Sequence, residues 1–327
     1  MKALFFGLGS IGKRHLRNLN QLCPEVECYA LRSSQDYPDL SEIDGISVRN
    51  LFETEEILSL YPKIAIISNP SSLHIESSLL AAQSGANLFI EKPLSNSLEN
   101  VNELLKLVDD KNLISYIACN WRFHPVLLKL SQILQAGELG DLFSASIEYS
   151  DFFPGWHPCE DYRTSYVAQK KLGGGALLTC MHEIDYIYWL FGAPEKVFST
   201  GGKKSKLDID VDDVVDALLV YEGNFALHLH LDIVQKTKQR SVKIQAEKGS
   251  CICDLIENTI TFRDGESEKV LYSMPEYDFN KMYLAEMDYF LKKIRGDTLL
   301  SINSLSEACD VMKIITIMQS QITHFQE

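Results

Sequence analysis

The first third of the chain alternates short apolar runs with segments whose apolar residues recur at helical spacing. Buried strands are predicted at 3–6, 26–31, 63–68, 87–90 and 113–118. Helical patterns lie between them, such as the one through Ile11, Leu16 and Leu19. Strands that alternate with helices are typical of parallel βαβ units, so this part predicts a doubly wound parallel sheet.

The pattern changes after Asn120. A long strand is predicted at 143–153, a helix at 177–191, several strands with glycine turns between 197 and 262, and helices at 281–294 and 305–321. Such an arrangement indicates an α+β domain with an open, mainly antiparallel sheet. A length of 327 residues exceeds one typical core, which also favours two domains.

Charge and composition exclude several classes of partner. The net charge of -14 argues against binding to nucleic acid or to an anionic membrane. No apolar run reaches the length of a membrane span, and Gly7 and Gly9 interrupt the apolar start, so no secretory pattern is present. The eight cysteines are scattered, as expected for reduced thiols in a cytoplasmic protein.

No metal site is predicted. Cys251 and Cys253 form a C-x-C pair without a second pair, which is poor spacing for zinc. An acidic cluster lacks the glycine and the final glutamate of a calcium loop, so we interpret it as a solvated turn; its members are Asp208, Asp210, Asp212 and Asp213.

A G-x-G-x-x-G motif lies between the first predicted strand and the first predicted helix; it is Gly7-Leu8-Gly9-Ser10-Ile11-Gly12. In this context the first glycine permits a tight turn, the second lets a pyrophosphate approach, and the third lets the helix pack on the sheet. The helix N-terminus favours the phosphates. The alternative, a tight turn without a ligand, does not require three glycines in this register.

The end of the second predicted strand should select the cofactor. An acid about 20 residues past the glycines would bind the ribose 2′-hydroxyl of NAD. Here Arg32 and Ser33 occupy that place, and the nearest carboxylate is Asp36. A guanidinium beside a hydroxyl suits a 2′-phosphate, so NADP is the predicted cofactor, with NAD as the alternative. Arg32 could equally be a solvated arginine at a strand end.

Further landmarks follow in one order along the chain. They are Asn69-Pro70 with His74, Glu91-Lys92-Pro93, Asn120-Trp121-Arg122-Phe123-His124-Pro125, and Gly173-Gly174-Gly175 running to His182-Glu183-Ile184-Asp185. With the N-terminal glycines, this set resembles the glucose–fructose oxidoreductase / inositol dehydrogenase / MocA (Gfo/Idh/MocA) family over nearly the whole chain.

The resemblance implies a dinucleotide-binding Rossmann domain at 1–120 and a substrate-binding and oligomerisation domain at 121–327. It also implies a sugar, sugar derivative or polyol as substrate and a homo-oligomer, a dimer or tetramer. The apolar stretch at 217–220 points to the same oligomer surface. We predict cofactor contacts at Gly7, Gly9, Ser10, Ile11, Gly12, Arg32, Ser33, Asn69, Pro70, His74, Glu91, Lys92 and Asn120.

Lys92 is the predicted proton-transfer group. Oxidation of a secondary alcohol sends hydride to the nicotinamide, and the protein must accept the proton. A lysine near the cationic ring should have a lowered pKa, so it can deprotonate the hydroxyl. Lys92 follows a predicted parallel strand, where ligands bind in such sheets. The alternative is a surface lysine paired with Glu91.

His182 is the second predicted catalytic residue, and by the resemblance it would sit at the reacting carbon. The alternative is a histidine satisfied inside an aromatic core. Relatives carry an aspartate one turn before this histidine, whereas here Thr179 is in the nearest equivalent place. We expect Asp185, three residues on, to share the face of His182 and to support its imidazolium; a degraded site is the other interpretation.

Four further residues are predicted to bind substrate along with His182: Arg122, Trp156, Tyr162 and Arg163. Aromatic faces with nearby donors suit a sugar ring or a carboxylate. The alternatives are loop packing for the residues near Trp156 and a structural ion pair for Arg122.

The sequence therefore predicts an NAD(P)-dependent dehydrogenase or reductase that acts on a CH–OH group. One alternative is a non-catalytic dinucleotide-binding sensor with the same fold. Another is a transferase that uses S-adenosylmethionine, in which the Glu91-Lys92-Pro93 segment would have no role.

Overall fold

The computed structural model describes residues 1–32, 41–156 and 158–322. It divides into two compact units: Met1–Asn120 with Asn280–Met312, and Trp121–Phe279 with Lys313–Glu327. The helices are α1 (Ser10–Leu22), α2 (Thr54–Leu60), α3 (His74–Gln83), α4 (Val101–Asp110), α5 (Pro125–Gln135), α6 (Ala176–Thr179), α7 (His182–Phe191), α8 (Asn280–Arg295) and α9 (Leu305–Gln321). In the described part of the chain, every helix falls short of the length or apolarity that crossing a bilayer requires.

The sheet of the first unit has the order β3-β4-β2-β1-β5-β6-β7. All neighbouring strands are parallel except β3 and β4. Its strands are β1 (Lys2–Phe6), β2 (Glu27–Leu31), β3 (Glu42–Ile43), β4 (Ile46–Leu51), β5 (Ile64–Ile67), β6 (Asn87–Glu91) and β7 (Ser115–Ala118). Strands β5 and β6 are buried throughout, as expected where helices cover both faces of a parallel sheet. The predicted doubly wound sheet is confirmed.

The C-terminal segment returns to the first unit, whereas the sequence placed all of 121–327 in the second. Helix α8 buries one face, and its Phe290 ring packs edge-on against Phe89 of β6 at 5.4 Å between centroids. Farther along, Asn303 accepts a main-chain hydrogen bond from Ile117 of β7 at 2.9 Å. Helical periodicity predicts an apolar face, but it does not identify the sheet that the face covers.

The sheet of the second unit has the order β15-β14-β13-β12-β8-β11-β10-β9. Its strands are β8 (Leu142–Phe152), β9 (Lys196–Gly202), β10 (Val214–Val220), β11 (Ala226–Asp232), β12 (Val234–Ala246), β13 (Gly249–Asp254), β14 (Thr259–Arg263) and β15 (Glu268–Ser273). All neighbours are antiparallel except β8 and β11, which are parallel. The predicted mainly antiparallel sheet is confirmed.

Two details of the second unit differ from the sequence predictions. The single helix predicted over 177–191 is divided at Cys180 and Met181 into α6 and α7, so His182 begins a new helix. The stretch 217–220 does not form a continuous apolar surface, because Leu219 is fully buried while Leu218 is 42% exposed. Side chains alternate between the two faces of a strand, and Asp216 lies on the same face as Leu218.

Candidate active site

The glycine loop after β1 has the shape that a pyrophosphate requires. Gly7 has φ +95°, and a Cβ on it would lie 2.7 Å from the main-chain nitrogen of Asn69. A Cβ on Gly12 would lie 2.3 Å from the Gly7 carbonyl oxygen, so Gly12 lets α1 pack against the turn. At Gly9 an added Cβ would meet no atom of the described chain within 4 Å. The loop is therefore tight where it contacts protein and open at the second glycine, which fits a bound dinucleotide.

Other predicted cofactor residues lie at the same edge of the sheet. Arg32 follows β2, Asn69 follows β5 and Lys92 follows β6, and the carboxyl ends of neighbouring parallel strands share an edge. The side-chain oxygen of Asn69 is buried without a hydrogen-bond partner among the described residues, and the same holds for both polar atoms of the Asn120 side chain. Buried polar atoms of this kind suit a polar ligand. Ser33 lies outside the described residues.

His74 joins two of these loops. Its Nδ1 lies 2.7 Å from the carbonyl oxygen of Pro93, and its Nε2 lies 2.8 Å from that of Asn69. The side chain is buried, and burial holds the pKa of His74 below its ordinary value against the opposing effect of both carbonyls. We predicted a cofactor contact here; the geometry gives His74 the role of tying the loop after β5 to the Lys92 loop.

Glu91 is bound on both carboxylate oxygens by protein groups. His15 of α1 donates to Oε1 at 2.6 Å, and the main-chain N–H of Lys92 donates to Oε2 at 3.1 Å. Burial has the largest single effect and raises the pKa of Glu91, but the interaction with His15 and the charge of Lys92 together outweigh it, so the net pKa lies below its ordinary value. Glu91 is therefore a buried group held by protein contacts, and its predicted contact with the cofactor stays a prediction.

A second carboxyl group is buried in the first unit. Glu286 of α8 is fully buried, and its Oε2 accepts a hydrogen bond from the Tyr116 hydroxyl at 3.3 Å. Burial, and then the negative charge of Glu91, raise the pKa of Glu286 well above the ordinary carboxyl value. Both effects favour the protonated, neutral form of the Glu286 carboxyl group.

We expect the free energy of unfolding of Glu286→Gln to increase relative to that of the wild type as the pH rises. The folded wild type holds a proton that its unfolded chain releases above about pH 4.5, so its free energy of unfolding falls as the pH climbs toward the raised folded pKa. Glutamine is neutral at every pH and lacks this loss. Urea unfolding of both proteins between about pH 5 and 9 measures the difference. If the free energies of unfolding of the two proteins change in parallel with pH, the prediction is wrong. Glu103→Gln, on an exposed face of α4, is the control and should follow the wild type.

In the second unit, Asp185 is bound by Arg122. The guanidinium donates from Nε at 2.9 Å and from Nη2 at 2.8 Å, one bond to each carboxylate oxygen, and both residues are buried. We expected Asp185 to support His182 and Arg122 to bind substrate. The bidentate contact supports the alternative considered for Arg122, a structural ion pair, while the predicted support of His182 by Asp185 stays a prediction.

A second buried ion pair, which was not predicted from the sequence, involves the same helix turn. Arg240 of β12 donates to Glu183 at 2.6 Å, and Glu183 is fully buried. The guanidinium carbon lies 3.6 Å from the ring centroid of Trp121 and 4.5 Å from that of Tyr149, so the cation is stacked between two aromatic rings. The first turn of α7, which carries His182, is thus fixed by Arg122 and Arg240.

The His182 ring lies near a cluster of aromatic side chains. Its ring centroid lies 6.5 Å from that of Trp121, and Trp121 stacks on His124 at 4.8 Å. Asn258 contacts Nε2 of His124 at 2.9 Å, while burial lowers the pKa of His124 to about 4. His124 is therefore neutral at physiological pH.

The predicted substrate loop divides into an inner and an outer part. The rings of Trp156 and Tyr162 pack edge-on against Phe153, at centroid distances of 5.3 and 5.7 Å. Arg163 lies on the surface and binds Asp161 at 2.6 Å, with about half of each side chain exposed. Trp156 and Tyr162 thus share one cluster, whereas Arg163 takes part in a surface ion pair.

The interpretation of the acidic cluster as a solvated turn is wrong for two of its members. Asp212 accepts a hydrogen bond from the main chain of Leu177 at 2.8 Å, at the start of α6. Asp213 is fully buried, and its carboxylate accepts hydrogen bonds from the main-chain N–H groups of Lys204 at 2.6 Å and Ser205 at 2.9 Å. These two carboxylates therefore hold neighbouring main-chain segments in place by hydrogen bonds. Across residues 1–32, 41–156 and 158–322, no three metal-ligating side chains are grouped to hold an ion.

Comparison with known proteins agrees with this architecture. YrbE, an uncharacterized oxidoreductase of Bacillus subtilis (strain 168), is 25% identical over 296 residues, which cover 85% of this chain and 80% of that protein. The myo-inositol 2-dehydrogenase of Thermotoga maritima is 23% identical over 307 residues, which cover 90% of this chain and 89% of that protein. A levoglucosan dehydrogenase solved with NADH superimposes with a TM-score of 0.82 at 18% identity, over 98% of this chain and 96% of that one.

Family assignments cover most of the chain. Residues 1–118 match the oxidoreductase family with an NAD-binding Rossmann fold, and residues 127–252 match the GFO/IDH/MocA C-terminal domain. Both matches confirm the resemblance that the sequence motifs indicated, and the first confirms a nicotinamide dinucleotide as the cofactor class. The chain belongs to the Gfo/Idh/MocA family of NAD(P)-dependent oxidoreductases.

Proposed function

We propose that this protein transfers hydride between NADP(H) and a secondary hydroxyl or keto group of a sugar, a sugar derivative or a polyol. The observation that carries the proposal is the glycine loop, open at Gly9, at the same sheet edge as Lys92. Two relatives support the substrate class: the myo-inositol 2-dehydrogenase and a scyllo-inositol 2-dehydrogenase (NADP(+)) of Bacillus subtilis, which is 24% identical over 64% of this chain.

In this proposal, separate residues bind the cofactor and transfer the proton. Bound NAD(P) supplies the hydride acceptor or donor. Gly9 and the start of α1 hold the pyrophosphate, and the amides of Asn69 and Asn120 bind polar groups of the cofactor. The amine of Lys92 takes the hydroxyl proton during oxidation and returns it during reduction.

His182 contributes an imidazole, whose two ring nitrogens can donate and accept hydrogen bonds. It begins α7, whose first turn is fixed by the Arg122–Asp185 and Arg240–Glu183 ion pairs. A fixed imidazole can hold a substrate hydroxyl in one orientation, which is how positioning lowers a reaction barrier. Trp156 and Tyr162 supply aromatic faces that suit the apolar face of a sugar ring.

A titration followed by a turnover assay tests the proposal. Binding of NADPH is followed by its fluorescence, and oxidation or reduction of the cofactor is then measured with a panel of inositols, anhydrosugars and sugar nucleotides. We expect binding together with turnover of at least one panel member. Binding of NADPH without turnover of any panel member would favour the dinucleotide sensor. Absence of NADPH binding would contradict the proposal that the glycine loop is a dinucleotide site.

We expect NADP(H) to bind more tightly than NAD(H), because Arg32 follows β2 at the edge that carries the glycine loop. Arg32→Asp should reverse the preference, since a carboxylate accepts hydrogen bonds from the ribose hydroxyls of NAD and repels a 2′-phosphate. Dissociation constants for both cofactors, measured by fluorescence, decide this. Equal affinities in the unchanged protein would show that Arg32 does not select the cofactor.

We also propose that the chain forms a homo-oligomer through the outer face of the second unit's sheet. Leu218 and Phe198 are neighbours in register on β10 and β9, and their side chains are 42% and 55% exposed. Exposed apolar groups at adjacent positions favour association. Light scattering at micromolar concentration should give at least a dimer mass for the wild type and a lower mass for Leu218→Glu; a monomeric wild type would rule the proposal out.

A further inference from the structure

We propose that Glu91 and His15 act as a positioning pair for Lys92, fixing its main chain and keeping a negative charge beside it. Glu91 precedes Lys92 in the chain, receives its main-chain N–H at 3.1 Å and receives the His15 ring at 2.6 Å. The functional meaning of the pair rests on the proposed role of Lys92 in proton transfer.

The His15 ring is held in place by its neighbours. It is fully buried, and the edge of Phe89 on β6 packs against it at 4.9 Å between centroids. The ring of Tyr283 on α8 lies 6.2 Å away, and the Arg14 guanidinium covers that ring at 4.5 Å. A ring enclosed on several sides keeps one orientation, so its hydrogen bond holds Glu91 at the end of β6.

The charge beside Lys92 comes from Glu91 and not from Glu286. Two carboxyl groups buried in one region do not both ionise easily, because each charge opposes the other. Glu91 has the His15 hydrogen bond and the lower pKa, whereas Glu286 has the Tyr116 hydroxyl and a raised pKa. One negative charge therefore remains, and it belongs to Glu91.

The other titratable groups packed around the pair add little negative charge. Burial holds the pKa of His74 on α3 below its ordinary value, which favours the neutral imidazole. Burial raises the pKa of Tyr283 on α8, so its phenol is neutral as well. Arg14 on α1 is the cation over the Tyr283 ring. Loss of the Glu91 charge should therefore make the region less favourable for an ammonium group.

Chemical labelling of the amine tests this without any substrate. Trace acetylation with acetic anhydride, followed by peptide mass spectrometry, reports the fraction of unprotonated Lys92 at each pH. Lys106, exposed on α4, is the internal reference in the same samples. We expect the labelling midpoint of Lys92 to fall by about one pH unit in Glu91→Gln, because an adjacent carboxylate favours the charged amine. Glu103→Gln should leave the midpoint unchanged.

Equal midpoints for Lys92 in the wild type and in Glu91→Gln would overturn the proposal. Circular dichroism and NADPH binding show whether each variant is folded. If Glu91→Gln is not, Glu91→Met replaces it, since this change also removes the carboxylate and the midpoint should again fall; an unchanged midpoint in that variant overturns the proposal equally. A shifted midpoint in a protein without turnover would support the pair and contradict the proposed function, so the two failures are distinguishable.

Discussion

Lys92→Met should reduce turnover by about 10²–10⁴-fold and leave dinucleotide binding largely intact. Methionine keeps much of the length of the side chain but cannot exchange a proton. The glycine loop that we propose as the pyrophosphate site consists of other residues, so NADPH should still bind. Initial rates with the best substrate of the panel, and fluorescence titration with NADPH, measure the two effects separately.

The matched control for this variant is Lys106→Met, which removes a lysine from the exposed face of α4 in the same unit. It should leave both turnover and binding unchanged. A Lys92→Met protein with nearly normal turnover would show that Lys92 is structural. A general loss of folding would appear instead as loss of NADPH binding.

Arg240→Met should lower the free energy of unfolding by roughly 3–5 kcal/mol. The change leaves the carboxylate of Glu183 buried without its cation and removes the guanidinium that stacks on Trp121. Because Glu183 follows His182 in α7, turnover should fall as well. Urea unfolding followed by circular dichroism measures the stability.

The double variant Arg240→Met with Glu183→Gln separates the charge effect from lost packing. It should recover much of the stability, since a neutral amide costs less to bury than an unpaired carboxylate. Arg263→Met breaks an ion pair with Glu268 in which each side chain is 55% exposed, and it should have little effect because solvent screens that pair. A double variant no more stable than Arg240→Met would mean that the Glu183 charge is not the cause.

The fold was largely predictable because its strands have unambiguous patterns. Strands β5 and β6 are short apolar runs flanked by helical segments, and they lie within a residue or two of the predicted bounds. The placement of α8 was not predictable, since its apolar face would fit either sheet equally well. The division of α6 from α7 was missed because apolar spacing continues across Cys180 and Met181.

The site was predictable where backbone shape determines the residue type. Gly7 and Gly12 lie in the tight turn and the close helix packing that the motif implies, and Gly9 is open where the motif predicts a pyrophosphate. Pairing between distant residues was not predictable: Arg122 with Asp185, and His15 with Glu91, are joined only by the tertiary fold.

Arg240 did leave a signal in the sequence. It alternates with Val242 and Ile244 on β12, and those two residues are fully buried. A cation on the inward face of a strand requires a buried anion. The pattern could therefore have predicted a partner for Arg240, although not which one.

Deuteride transfer tests the central claim most directly. For this test the panel is extended by the keto form of each member. Each keto compound is incubated with NADPH that carries deuterium at the reactive nicotinamide carbon, one isotopomer for each face, and the sugar or polyol product is examined by mass spectrometry. The account predicts that deuterium from one isotopomer appears on a product carbon, and that Lys92→Met strongly reduces its appearance. If neither isotopomer transfers deuterium to any keto compound of the panel, although NADPH binds, the protein is not the oxidoreductase proposed here.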